Sequence, residues 1–175
     1  MPPLLAALVG ALALAALNTF GDFLWARFVT NHRMLLGLIH GTVLLLALGL
    51  FLGVVRSRPL RGALSGAAVG LLAALSYYAL APLLGWRAML VSWMALWIGF
   101  AFVDARLRGA AGARATLARG ALAAVGSGLA FYAISGIWTK HGPGGPDYAY
   151  NFLCWTIAFL PGLAALLFKT EARDA

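Results

Sequence analysis

Few side chains in this sequence can do chemistry, and nearly all of them sit inside long apolar stretches. Asn18, His40, Ser76, Tyr77, Tyr78, Ser92, Ser127, Tyr132 and Asn151 are polar groups of this kind. A polar group in hydrocarbon is costly, so each is a candidate for function by default. Asp22 and Asp104 are the only acids near these stretches, and both belong close to their ends. Asp22 is placed to pair with Arg27. Asp104 sits among Arg106 and Arg108, where an exposed ion pair is worth little in stability and a solvated helix end is the plain reading.

His40 admits two readings. A neutral imidazole can ligate a haem or chlorophyll metal through one ring nitrogen. The other histidines, His32 and His141, fall in loops, and no second histidine lies four residues from His40. The alternative is a core histidine bonded to a neighbouring hydroxyl or carbonyl.

Catalysis finds little support. There are no paired intramembrane carboxylates, no His-Glu-x-x-His or Cys-x-x-Cys metal pattern, and no Gly-x-Ser-x-Gly elbow. Gly142-Pro-Gly-Gly-Pro is flanked by prolines and reads as a tight turn, not a phosphate cradle. The scarcity of buried acids also argues against a proton- or sodium-coupled transporter. The expectation is a protein that is not an enzyme and holds no metal.

The stretches that carry these groups define the class. The chain has 175 residues, 63% hydrophobic and 10% charged, with a mean hydropathy of +0.90. Soluble domains are about half apolar and about a quarter charged. A chain this short cannot hide so much hydrocarbon from water. Roughly 20 helical residues cross a bilayer core. Six such stretches are legible, over residues 4–24, 34–55, 62–84, 88–103, 117–138 and 150–168, the fourth being the shortest. Their continuous Leu and Ala runs suit helices and lack the alternation of barrel strands. The expected fold is all-α: a polytopic membrane protein, a compact bundle of about six transmembrane helices forming one domain over 1–175. The first stretch has no basic residue before it and reads as a retained helix, not a signal peptide.

Net charge is +8, yet the basic residues lie in the gaps between the stretches, which argues against nucleic acid. On the N-terminal side of the bundle fall Arg56, Arg58, Arg61, Arg106, Arg108, Arg114, Arg119, Lys169 and Arg173. The other side has only Arg27, Arg33, Arg87 and Lys140. The positive-inside rule then places both termini in the cytoplasm. The excess of arginine over lysine, with abundant Ala, Leu and Gly, hints at a GC-rich bacterial genome and hence the inner membrane. Cys154 is the single cysteine, so no intramolecular disulfide can form.

Two features bear on packing. Gly62, Gly66 and Gly70 recur every four residues, a small-xxx-small face that lets another backbone approach, within the bundle or across a dimer seam. Gly37 with Gly41, and Gly49 with Gly53, repeat the pattern in the second stretch. Trp25, Trp86 and Trp138 suit the headgroup level. Trp93 and Trp97, one turn apart, are either core packing or the wall of a lipid pocket.

Two segments carry a likeness to a known family. One is Leu96-Trp-Ile-Gly-Phe-Ala-Phe-Val-Asp-Ala-Arg-Leu-Arg-Gly109. The other runs from Phe131-Tyr-Ala-Ile-Ser-Gly-Ile-Trp through Pro146-Asp-Tyr148 to Phe152-Leu-Cys-Trp. Together they resemble the Insig (insulin-induced gene) family, in its bacterial form. Its members have an aromatic helix end followed by Phe, Asp, alternating Arg and Gly, and later a Tyr-x-Gly-x-Tyr stretch, a Ser-Pro-Asp-Phe turn and a Trp-Leu-Pro-Cys segment. The paired prolines and cysteines that animal members carry in the second helix are missing here. The resemblance implies six helices, cytosolic termini, and a neutral lipid, diacylglycerol- or sterol-like, held in the bundle of a protein that regulates a membrane partner. Lipid-binding candidates are then Asn18, His40, Ser76, Trp93 and Tyr132. Partner-contact candidates are Asp104, Arg106 and Arg108. The alternative from another class is an accessory or scaffold subunit of a larger membrane complex, pigment- or haem-bearing, with no ligand chemistry of its own; a homo-oligomer is compatible with either.

Overall fold

A computed structural model describes residues 1–28, 31–109, 112–135 and 147–168. Trp138, Lys140, His141, the 142–146 turn, Lys169 and Arg173 fall outside the described residues. Six helices account for the architecture: α1 Pro3–Phe28, α2 Arg33–Val55, α3 Pro59–Leu84, α4 Arg87–Arg108, α5 Ala113–Ser135 and α6 Tyr148–Leu167. No strand occurs among the described residues. Helix is the form that satisfies every backbone N–H and C=O within its own segment, which hydrocarbon demands.

Local chemistry sets the ends. Pro59 opens α3, where its missing N–H costs nothing. The Asp147 side chain accepts a hydrogen bond from the Tyr150 N–H at 3.0 Å and caps α6. Gly109, at φ 72°, closes α4 in the left-handed region. That stop comes later than the sequence suggested. The fourth helix runs two residues beyond Arg106, and α6, with 20 residues, is the shortest.

All of the helices except α5 are long and apolar enough to cross a membrane, so the protein is a multi-pass membrane protein. In α5, Arg114 and Arg119 occupy the first two turns and dilute an otherwise Ala- and Gly-rich helix. It packs between α4 and α6.

The bundle is built from close pairs. α1 lies mainly on α6, α2 on α3, and α4 on both α3 and α5, while α1 and α2 touch only sparingly. The start of α1 meets the ends of α2 and α6, since a Cβ on Gly10 would come 2.6 Å from Phe51 and 3.1 Å from Leu163. Both ends of the described chain therefore lie at one end of the bundle.

The glycine face is a seam inside the bundle. A Cβ on Gly62 or Gly66 would overlap the carbonyl oxygens of Gly49 and Leu45 respectively, and one on Gly70 would come 2.8 Å from that of Gly41. These three glycines are the only buried residues of α3. Leu60, Leu64, Leu72 and Leu83 point outward, as expected of side chains whose solvent is lipid. The core proper gathers on α4 and α6 around Trp97, Phe100, Phe159 and Leu163.

Candidate functional site

The sparse contact between α1 and α2 leaves a cavity of about 420 Å³ in the half of the bundle away from the termini. Its floor is aromatic. Trp93 of α4 stacks on Phe131 of α5, with centroids 4.8 Å apart, and lies 5.8 Å from Trp155 of α6. All three line the cavity. The floor is fixed from behind: the Trp93 indole N–H donates to Ser127 Oγ at 2.9 Å, and Ser127 donates to the Ala158 carbonyl at 2.5 Å. The aliphatic wall comes from Leu44, Leu45, Ala73, Ala74 and Leu96.

Polar groups enter from one side. His40 reaches across from α2, and its Nε2 lies 3.0 Å from Asn18 Oδ1 on α1. This contact requires the tautomer with the proton on Nε2. Gly21 makes the reach possible, because a Cβ there would overlap the imidazole. Asn18 is 1% exposed, and its Nδ2 has no hydrogen-bond partner among the described residues. One turn on, Asp22 Oδ2 accepts from Asn151 Nδ2 at 2.8 Å and from the Trp155 indole at 2.7 Å. Asp22 Oδ1 has no such partner among the described residues. At i and i+4, Asn18 and Asp22 share one face of α1, and both line the cavity.

No protein-family model, curated protein or solved structure matches this chain.

Asn18, His40 and Trp93 meet at this cavity, as do Tyr77, Tyr78 and Ser92. Ser76 is one step removed: it donates to the Ala73 carbonyl at 2.8 Å and shares a 3.0 Å hydrogen bond with Ser92, which does line the cavity. Tyr132 lies outside it. The residue is 57% exposed and stacks on Trp86 at 6.2 Å, because helical periodicity turns its neighbour Phe131 inward instead. Trp97 belongs to the core and contacts Trp93 edge-on.

Sequence reasoning missed Asp22. The sequence sets it against Arg27 at a helix end, whereas the fold gives it to Asn151 and Trp155 of α6. The signal that could have found it is the Asn18–Asp22 spacing, which puts an amide and a carboxylate on one face of a hydrophobic helix.

A second polar cluster forms at the opposite end. Asp104 is fully buried, with Arg56 Nε 2.8 Å from Oδ1, Arg108 Nε 2.8 Å from Oδ2 and Arg119 Nη1 3.9 Å from Oδ2. Arg119 also donates to the Leu166 carbonyl at 3.2 Å. Asp104 is thus a buried anchor and not the solvated helix end that the sequence suggests. α4 continues past Asp104, and its buried stripe through Phe100, Val103 and Leu107 carries the carboxylate inward. As a partner-contact candidate Asp104 presents no surface; Arg106 and Arg108 are exposed.

Proposed function

We propose that this protein binds one neutral lipid in the cavity, through a hydroxyl on its head, and serves as an Insig-like regulator of a membrane partner. The observation that carries the lipid reading is the unmet amide of Asn18 on α1, one turn from the Asp22 carboxylate. Asn18 Nδ2 is a buried donor with no acceptor among the described residues, and one helical turn on, the half-buried Asp22 carboxylate can accept further through Oδ1, in an otherwise apolar cavity. An unmet buried polar group costs about 1–3 kcal/mol. A hydroxyl accepts and donates at once, so a single alcohol answers both groups. Diacylglycerols and sterols each offer one.

Size and walls support the same class. Ligand cavities usually span roughly 300–1,000 Å³, mostly apolar with a few placed polar groups. About 420 Å³ takes a head and the first carbons beside it, while the chains pass between α1 and α2 into the bilayer. We read the site as binding, not catalytic, since Asp22 is already held by two donors and His40 by Asn18. His40 as a pigment ligand fits less well: Nε2 is engaged, and the ring is pressed against Gly21. The regulatory role rests on the Insig resemblance alone. The bacterial inner membrane and cytoplasmic termini rest on residue usage and on the crowding of arginines at the terminal end.

Mass spectrometry and an absorption spectrum of protein purified in mild detergent test the reading. The expected result is a colourless sample with one neutral lipid class at near-stoichiometric amount. Ala73→Leu, which fills the cavity, should empty it. A coloured sample that fades on His40→Ala, or a lipid-free one that co-purifies with a protein partner, would favour the complex-subunit reading instead.

A further inference from the structure

The Asp104 cluster is independent of the cavity, and its charges do not balance. Three guanidinium groups surround one carboxylate, and the two that it holds through Nε, Arg56 and Arg108, together carry one positive charge more than it among the described residues. The three arginines arrive from different elements: Arg56 follows α2, Arg108 ends α4 and Arg119 lies in α5. A guanidinium carries five N–H donors. Arg56 and Arg108 each approach Asp104 through Nε, and their Nη groups make no hydrogen bond among the described residues. Both side chains are partly exposed, at 18% and 30%. Asp104 therefore fixes the two arginines from within while their terminal donors stay available at the surface.

Position decides which anion fits. The cluster lies at the terminal end of a membrane bundle, where Arg56 follows α2 and Arg108 ends α4, and the ends of spanning helices meet the headgroup region. Basic pockets between helices at this level suit anionic lipid heads. The guanidinium fork matches phosphate oxygens two at a time, which ammonium groups cannot do. We propose that Arg56 and Arg108, held by Asp104, form a binding site for a phosphate group, supplied by the head of an anionic phospholipid.

The test uses the full chain in nanodiscs of phosphatidylcholine with a minority of phosphatidylglycerol, followed by release into the gas phase and native mass spectrometry. Wild-type protein should retain phosphatidylglycerol well above its share of the bilayer. The double variant Arg56→Gln with Arg108→Gln should lose that preference by about 25-fold, taking each surface arginine at its ordinary strength against anionic lipid. Arg106→Gln, outside the cluster, should keep it. If the glutamine variant fails to fold, Arg56→Lys with Arg108→Lys keeps the ion pairs to Asp104 but loses the fork, and its preference should fall between the two. Inorganic phosphate at matched ionic strength separates the sources: displacement of the lipid assigns the site to free phosphate, and retention assigns it to the lipid head. Wild-type protein that holds both lipids in the bulk ratio overturns the proposal, as does a folded double variant, glutamine or lysine, with wild-type preference.

Discussion

A charge buried in a membrane protein is tolerable only with its partners in place, and Asp104 shows the asymmetry this creates. Removing the carboxylate takes from Arg56 and Arg108 the group that holds both, whereas removing Arg108 leaves Asp104 with Arg56 and Arg119. Asp104→Ala should lower unfolding stability in detergent by about 3 kcal/mol. Arg108→Ala, at a half-exposed i,i+4 pair, should cost under about 1 kcal/mol. Equal losses in thermal or denaturant unfolding would contradict this account. Ser127 is a second residue of the same sort, neutral but fully buried. Its hydroxyl receives the Trp93 indole and donates to Ala158. Ser127→Ala should destabilise by about 2 kcal/mol, because the buried Trp93 indole N–H then loses its acceptor. It should also loosen the cavity floor, visible as a shift in tryptophan fluorescence.

At the scale of elements, the α2–α3 pair depends on having no side chains where the backbones meet. Gly49 and Gly53 face Gly62 and Gly66 closely enough that each would overlap backbone atoms if given a Cβ. Backbone cannot yield as a flexible side chain can. Gly66→Leu should therefore separate the pair and yield aggregated or monodisperse-poor material on size exclusion. Gly112→Ala, whose nearest neighbour would be the Ala115 Cβ at 3.8 Å, should behave as wild type. Van der Waals closeness is the main force available here, since lipid chains are as apolar as leucine and supply no hydrophobic drive between helices. The same pairing explains the cavity. α2 is committed to α3 and α1 to α6, so α1 and α2 meet mainly through Asn18 and His40 in this half of the bundle.

For the whole molecule, alternating helices bring Ser57 and Gly112 to the arginine-rich end and Gly85 to the other. In a Cys154→Ser background, a cysteine placed at Gly85 in intact cells should react with a membrane-impermeant thiol reagent. One placed at Ser57 should react only after the membrane is opened. The reverse pattern would invert the orientation drawn from the arginines. The two polar clusters divide the molecule, with the Asn18–Asp22 cavity in one half of the bundle and the Asp104 arginines at the end that holds the termini.

The amino-acid sequence alone determined the class, the helices and the packing face. Continuous apolar runs admit one solvent and one secondary structure, and glycines at four-residue spacing mark where helices approach, because these signals are local and periodic. It also singled out Asn18, His40 and Trp93. It could not tell which turned inward of Phe131 and Tyr132, adjacent in sequence and opposite in environment, nor that Asp22 answers α6. Partners 129 and 133 residues away leave no trace in local pattern. Asp104 is the sharpest case. Flanked by arginines in sequence it reads as a surface charge. Only the assembly of α2, α4 and α5 around one point makes it a buried anchor, because the nearest of its three guanidiniums in sequence is four residues away and the farthest forty-eight.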